Sequence, residues 1–357
     1  MNLKRKIIDT TIRFLEKKNQ KRCVACENRN MKNLNLEALT EEEKLQVKNL
    51  WGISDFSYHR MFKTMEGFDA RYVSDYSFLP RVLRALNPMG MSRAFEEKSL
   101  YGIIYSAIPQ PKSLVICNRG GYIIDNKYVS FRNAVDYLKT QKGFIIKPTH
   151  DSTQGNNVRY VRTSEDDVES ILKLYGEHFI TQEKIEQSSM TSVFNKSSLN
   201  SFRVSTLNIN GKSSLCNIVF RSGLKGSVVD NLGAGGLMLG VSPDGQFFDY
   251  AYDNRYIRHD ASAEGVRFSG YKVGKMKDIV DLTLKWHAEY LPHLGFAGWD
   301  VVLDEHDNPI MIEVNLRWPG IQFEQLCTKT PLFGDRTDEV VEFVKRHPLT
   351  LNDVMSI

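Results

Sequence analysis

Apolar residues recur at helical spacing through Ile8, Ile12 and Leu15, inside a basic stretch, and this pattern predicts a helix near the start of the chain. Thr40-Glu-Glu-Glu43 has the form of a capping box, which opens a second helix running to Trp51. Up to about residue 85 the chain reads as mainly helical with aromatic-rich connections. The pattern then changes. Between 111 and 130 (PKSLVICNRGGYIIDNKYVS) short apolar runs alternate with Gly-Gly and Asp-Asn turns, as hairpins do. Phe144-Ile-Ile-Lys-Pro148 reads as a short strand ended by proline. Ser164 is predicted to cap a helix through Tyr175, with Asp167 three residues on and Gly176 as its stop. Residues 201–209 and 214–221 read as strands joined by a tight Asn210-Gly211 turn. A helix over 275–291 places Ile279, Leu282, Trp286 and Tyr290 on one side, and a final hairpin spans about 298–315. Helices mixed with antiparallel hairpins indicate an α+β layered protein.

Composition narrows the classes. At 357 residues, 41% hydrophobic and 25% charged, the chain can bury one large core or two ordinary ones and is not globally disordered. A formal charge of +4, from 47 basic and 43 acidic residues, is too small to argue for nucleic acid. No stretch is apolar enough to span a bilayer or to act as a secretory signal, which predicts a cytoplasmic protein. Residues 1–35 hold ten Lys/Arg against three acidic residues, so the first helix either packs on its own protein or rests on an anionic membrane surface or envelope assembly. In the second case the protein sits at the inner face of the membrane. Five scattered cysteines form no disulfide framework, and Cys23-Val-Ala-Cys26 reads more simply as two thiols at a helix end than as half a zinc site.

The last hairpin carries the most chemistry. Trp299-Asp-Val-Val-Leu303 is followed by a polar turn and by Pro309-Ile-Met-Ile-Glu-Val-Asn315. Alternation puts Met311, Glu313 and Asn315 on one face, and Ile310, Ile312 and Val314 on the other. If Leu303 pairs with Ile310, the same register sets Asp300 opposite Glu313, with Cβ atoms ~5 Å apart. Opposed carboxylates are unfavourable unless a cation lies between them, and an oxygen-only set of Asp300, Glu313 and Asn315 suits Mg²⁺ or Mn²⁺ rather than zinc.

Two other segments have the chemistry for a nucleotide, although each alone is weak. Lys147 ends a buried-looking strand and aims an ammonium outward, ahead of the small-residue loop His150-Asp-Ser-Thr-Gln-Gly-Asn-Asn157. Phe179-Ile-Thr-Gln-Glu-Lys-Ile-Glu-Gln187 is an extended run that could read a base through its backbone.

The order of these parts, with IIKPTHDSTQGNNV, ITQEKI, LNSFRVSTL, VVDNLGAGG, GFAGWDVVLD and IMIEVNLRWPG over roughly 92–325, resembles the ATP-grasp enzymes. The resemblance is greatest to the sugar-transfer-associated group, whose members accompany surface-polysaccharide genes. The helical region over 1–85 lies outside the resemblance, which implies an ATP-grasp domain over 86–350. That domain holds its nucleotide between a lid at about 110–190 and a metal and acceptor subdomain at about 191–345. It further implies that Lys98 and Lys147 bind ATP, with Ser152, Gly155 and Asn156 over the phosphates. Gln182, Glu183, Lys184 and Ile185 would read the adenine, and Glu186 or Gln187 would lie near the ribose. Arg203 and Arg221 would meet the transferred phosphate or an acceptor carboxylate, and Asp230 and Asn231 with Gly235-Gly236 would form an acceptor loop. Asp300, Glu313 and Asn315 match the ligands of Mg²⁺. The implied activity is ADP-forming carboxylate–amine ligation through an acyl phosphate, on a small-molecule or glycan-precursor acceptor. Direct phosphoryl transfer to a hydroxyl and a non-catalytic nucleotide-binding module are the alternatives.

Overall fold

The computed structural model describes the whole chain except residues 1–2, 151–156, 225, 227–229, 231 and 356–357. Two antiparallel sheets form its frame. The first has six strands in the order β3-β2-β1-β6-β4-β5: β1 (Ser113–Asn118), β2 (Gly121–Ile124), β3 (Lys127–Val129), β4 (Gly143–Pro148), β5 (Arg159–Arg162) and β6 (His178–Gln182). The second runs β11-β10-β9-β8-β7-β12-β13: β7 (Ser201–Ile209), β8 (Lys212–Ser222), β9 (Leu237–Val241), β10 (Phe247–Tyr252), β11 (Arg258–His259), β12 (Phe296–Leu303) and β13 (Pro309–Asn315). Together with the flanking helices this is the α+β layered architecture expected from the pattern.

Turn chemistry sets the local geometry. Arg119-Gly120, Asp125-Asn126 and Asn210-Gly211 all adopt positive φ, the conformation a two-residue hairpin with the right twist requires. The capping box at Thr40 is present in both its hydrogen bonds, and the helix Glu41–Trp51 stops at left-handed Gly52. One cap differs from expectation. Asp167, not Ser164, caps the helix Val168–Tyr175, because its carboxylate reaches the N–H groups of Glu169 and Ser170.

β7 is buried along its whole length, and its two faces have different fates. Phe202 and Val204 enter a core with Met276, Ile279 and Trp286 of the helix Met276–Tyr290. On the opposite face Leu207 and Ile209 pack against Val47, Trp51, Phe78 and Leu86 of the N-terminal helical region. The same face carries Ser201, Arg203 and Ser205 farther along the strand. Thus one apolar end of β7 anchors the N-terminal region, and the polar end is left for the site.

The first helix, Leu3–Asn30, rests on the C-terminal segment through Asn19, whose amide donates to the Val354 carbonyl at 3.0 Å. Ile7, Ile8 and Phe14 are exposed on it. The Cys23 side chain is partly exposed, and that of Cys26 lies outside the described residues. Among the described residues no helix is long and apolar enough to cross a membrane.

Candidate active site

β12 and β13 pair with Asp300 opposite Glu313, but the route to that register differs from simple alternation. Leu303 faces Pro309, not Ile310, and Val301 faces Met311; a bulge between Val301 and Asp300 then restores the Asp300–Glu313 match. The extra residue flips the faces partway along β13. Met311 and Val314, three apart, both enter the core, while Ile312, Glu313 and Asn315 line a cleft. The expectation that Met311 shares a face with Glu313 is corrected by this bulge. A strict period of two would have buried Glu313 with Val314's neighbours or exposed Val314.

Cross-strand pairing also brings Arg203 of β7 beside Asp300. Its Nε lies 2.5 Å from Asp300 Oδ1 and its Nη2 3.2 Å from Oδ2, a two-pronged contact. Arg221, from β8, approaches Oδ2 at 3.0 Å, and the Asn315 amide donates to the same oxygen at 3.3 Å. Burial opposes the charge of Asp300, but the two guanidiniums prevail and hold its pKa down at about 2. Gly298 is required here in a steric sense. A Cβ at that position would come within 3.2 Å of Arg203 Cδ, so a side chain would crowd the arginine stem.

Behind this pair lies a carboxylate that sequence reasoning did not single out. Glu324, fully buried on the helix Gln322–Thr328, accepts from the Ser205 hydroxyl at 2.5 Å and lies 3.5 Å from Arg203 Nη1. Burial pushes its pKa up to about 7, against the pull of Arg203 and Ser205. For Arg203 itself burial weakens the charge, yet Asp300 and Glu324 more than offset it and raise its pKa above the ordinary guanidinium value. Asp230, expected on an acceptor loop, accepts from Ser201 at 2.5 Å and lies 3.7 Å from Arg221. The only sequence signal for Glu324 is an acid among the apolar Ile321, Phe323, Leu326 and Cys327, in a run that also holds Gln322 and Gln325.

Lysines gather on the other side of Glu313. Lys98 Nζ is 2.8 Å from Glu313 Oε1, and its backbone N–H donates to the Thr149 carbonyl at 3.1 Å, which docks its turn on the end of β4. Lys147, on β4, is 7% exposed. Burial, then the neighbouring Lys98 charge, lower its pKa to about 8, against the attraction of Glu313 and Asp300.

These groups share one cleft of about 820 Å³ between the two sheets. Lys98, Lys147, Gln182, Glu183, Ile185, Arg203, Arg221, Asp300, Glu313 and Asn315 all line it, with Glu96, Arg317 and Asp75, which the sequence reading had not assigned. Glu96 clasps the loop after β13, taking the backbone N–H groups of Leu316 and Arg317 and the Arg317 guanidinium. The 183–187 segment is irregular, because β6 ends at Gln182. Within it Glu183 accepts from the Lys112 backbone N–H at 2.9 Å. Lys184 is absent from the lining and pairs with Glu186 in solvent at 2.5 Å. Gln187, expected near the ribose, is not among the residues that line the cleft. Its amide nitrogen donates to the carbonyls of Asn195 and Ser198, and its oxygen accepts from Asn200, so it clasps the 188–200 loop. Ser152, Gly155, Asn156 and Asn231 lie outside the described residues.

No curated protein sequence is significantly similar to this chain. Among solved structures, D-cycloserine synthetase DcsG is 15% identical, with 74% of each chain covered and a TM-score of 0.43. The ATP-grasp ligase PsnB, complexed with a minimal precursor, Mg and ADP, is 13% identical over 73% of this chain and 62% of its own, with a TM-score of 0.42. D-alanyl-alanine synthetase A from Vibrio cholerae O1 biovar eltor is 13% identical over 71% of this chain and 65% of its own, also at 0.42. The chain therefore spans less than two thirds of the length of these last two. The model of the sugar-transfer associated ATP-grasp proteins matches from residue 79 to residue 340, most of the sequence and both sheets, and this chain belongs to that family.

Proposed function

We propose that the protein is a Mg²⁺-dependent, ATP-consuming ligase that joins a carboxylate to an amine through an acyl phosphate, releasing ADP and phosphate. The reading rests on one observation above all: Lys98 and Lys147 are both buried at the cleft, where Glu313 pairs with Lys98 and, together with Asp300, attracts Lys147 without an ion-pair contact. Two buried cations side by side are costly unless an anion joins them, and a triphosphate supplies that anion. Glu313 and the Asn315 amide oxygen are oxygen donors of the kind a hard divalent cation takes, and Asp300 would complete the set if the guanidiniums and amide that now hold its oxygens gave way. When bound, Mg²⁺ neutralises charge that builds on the β,γ-phosphate oxygens.

The protein's own residues would divide the remaining work. Lys98 and Lys147 hold the phosphates against the end of β4. Gln182, Glu183 and Ile185 border the adenine, with the backbone of Lys184 between them. Arg203 and Arg221, fixed through Asp300, present positive charge where a carboxylate becomes an acyl phosphate. The acceptor and donor are small molecules, and family membership favours a sugar or glycan precursor as one of them.

A coupled ADP-release screen over uronic acids, amino acids and amino sugars, with free phosphate measured in parallel, tests the proposal. Lys147→Ala and Glu313→Ala should fold and lose about two decades in rate, the usual effect of removing one preorganised electrostatic group. ADP release at the wild-type rate from either variant would sink the site. ADP without free phosphate would instead mean phosphoryl transfer to the acceptor.

A further inference from the structure

Asp75 lies ahead of the segment that matches the family, yet it forms part of the cleft wall. It is the first residue of a helical turn capped by Ser74. The Tyr58 hydroxyl sits 3.2 Å from Asp75 Oδ2 and 2.6 Å from Gln322 Oε1, and the Gln322 amide reaches the Tyr256 hydroxyl at 2.5 Å. Asp75 Oδ1 is shielded and has no hydrogen-bond partner. The cations of the cleft are engaged elsewhere: Lys98 by Glu313, Arg203 and Arg221 by Asp300, Arg317 by Glu96. Among the described residues none pairs with Asp75.

Among the described residues this carboxylate meets only the Tyr58 hydroxyl and the Ile321 backbone, and no cation. Asparagine would accept equally well from Tyr58, without the cost of a charge held out of water and unpaired. Burial in fact lifts the Asp75 pKa to about 6, even with Tyr58 pulling it down. The side chain as a whole keeps some exposure to the cleft, so a cation arriving there can reach it.

We propose that Asp75 is the acceptor-amine site of the cleft, binding the ammonium of the nucleophile and removing one of its protons before attack. The inference rests on the ligase reading above. The step balances as follows. Ammonium passes a proton to the Asp75 carboxylate and becomes a free amine. The amine lone pair forms the C–N bond at the acyl-phosphate carbonyl and the C–O bond to phosphate breaks, with the second nitrogen proton leaving on the phosphate. The N-terminal helical region is then part of the active site, and it carries the selectivity for an amine over a hydroxyl.

The experiment uses the full chain loaded with Mg²⁺ and a non-hydrolysable ATP analogue, titrated calorimetrically with glucosamine and glycinamide and with their neutral counterparts glucose and acetamide. The wild type should bind at least one ammonium probe and prefer it to its neutral counterpart. Asp75→Asn should lose that binding at least tenfold while its affinity for the ATP analogue stays unchanged. In turnover, hydroxylamine needs no base to attack an acyl phosphate. Asp75→Asn should therefore still form hydroxamate from a carboxylate active in the ADP screen, while amide formation falls at least tenfold. Equal amine binding by the two proteins, or no preference for ammonium in the wild type, overturns the inference and leaves the ligase reading intact. That preference is read on the unaltered chain, so it decides the matter even if Asp75→Asn does not fold. Failure of the wild type to bind the ATP analogue overturns both.

Discussion

Two groups of buried charge share the cleft and are built on opposite terms. Around Asp300, two arginines are shared among three carboxylates, Asp300, Glu324 and Asp230, so that every group there has an oppositely charged neighbour within the protein. Around Glu313, Lys98 forms an ion pair with the carboxylate while Lys147 is buried beside them without one. The first group is complete when the chain has folded. In the second, Lys147 has no ion-pair partner among the described residues, and burial makes its charge expensive. The difference teaches where to look for a ligand: a self-compensated network supports a site, whereas an uncompensated one is waiting for a partner.

The widest test of that contrast is stability. Arg203→Met leaves Asp300 and Glu324 buried without their shared cation and should cost about 3–5 kcal/mol in urea denaturation. Lys147→Met removes the surplus charge and keeps the volume, so it should be neutral or stabilising even as turnover is lost. Comparable destabilisation by both would break the comparison.

The pH dependence should sharpen it. The folded pKa of Glu324, about 7, exceeds its ordinary 4.5, so the folded state holds that proton more tightly. Its contribution to stability therefore falls as pH rises from about 4.5 through 7. Lys147 behaves oppositely. Its folded pKa, about 8, is below the ordinary 10.5, so the unfolded chain binds more protons between those values and stability rises with pH there. Relative to the wild type, melting temperatures measured across both windows should lose a falling component in Glu324→Gln and a rising one in Lys147→Met. Slopes of the same sign would contradict the assignment.

The smallest expected effect concerns the border of the cleft. Gln187→Ala leaves several partners of the 188–200 clasp unsatisfied and should cost about 1–3 kcal/mol. The KM for ATP should not change, because the side chain is turned away from the cleft. A selective rise in that KM would return Gln187 to the nucleotide.

Much of this was legible in the chain, and the limits have identifiable causes. Asn210-Gly211 and the Thr40 box were readable because each motif solves a local backbone problem. The Asp300–Glu313 match was reached by counting from the turn, but the count assumed a regular ladder. The bulge that places Met311 in the core has no local signature in Pro309-Ile-Met-Ile-Glu-Val-Asn315. Gln187 lay in a run with the right order of polar and apolar residues, and only the fold of the following loop shows what its amide holds. Glu324 and Asp75 escaped notice because neither sits in a motif.

By itself, then, the sequence determined the element types, the tight turns, the opposition of two acids on the last hairpin and the family resemblance. These depend on backbone period and on spacing between near neighbours. Tertiary structure alone decided which charges are compensated. Arg203 and Glu324 are 121 residues apart, and Tyr58 and Gln322 are 264 apart. The energy of a buried charge depends on its exposure and on the distance to its partners, and both are set only when the two sheets and the N-terminal helices have packed together.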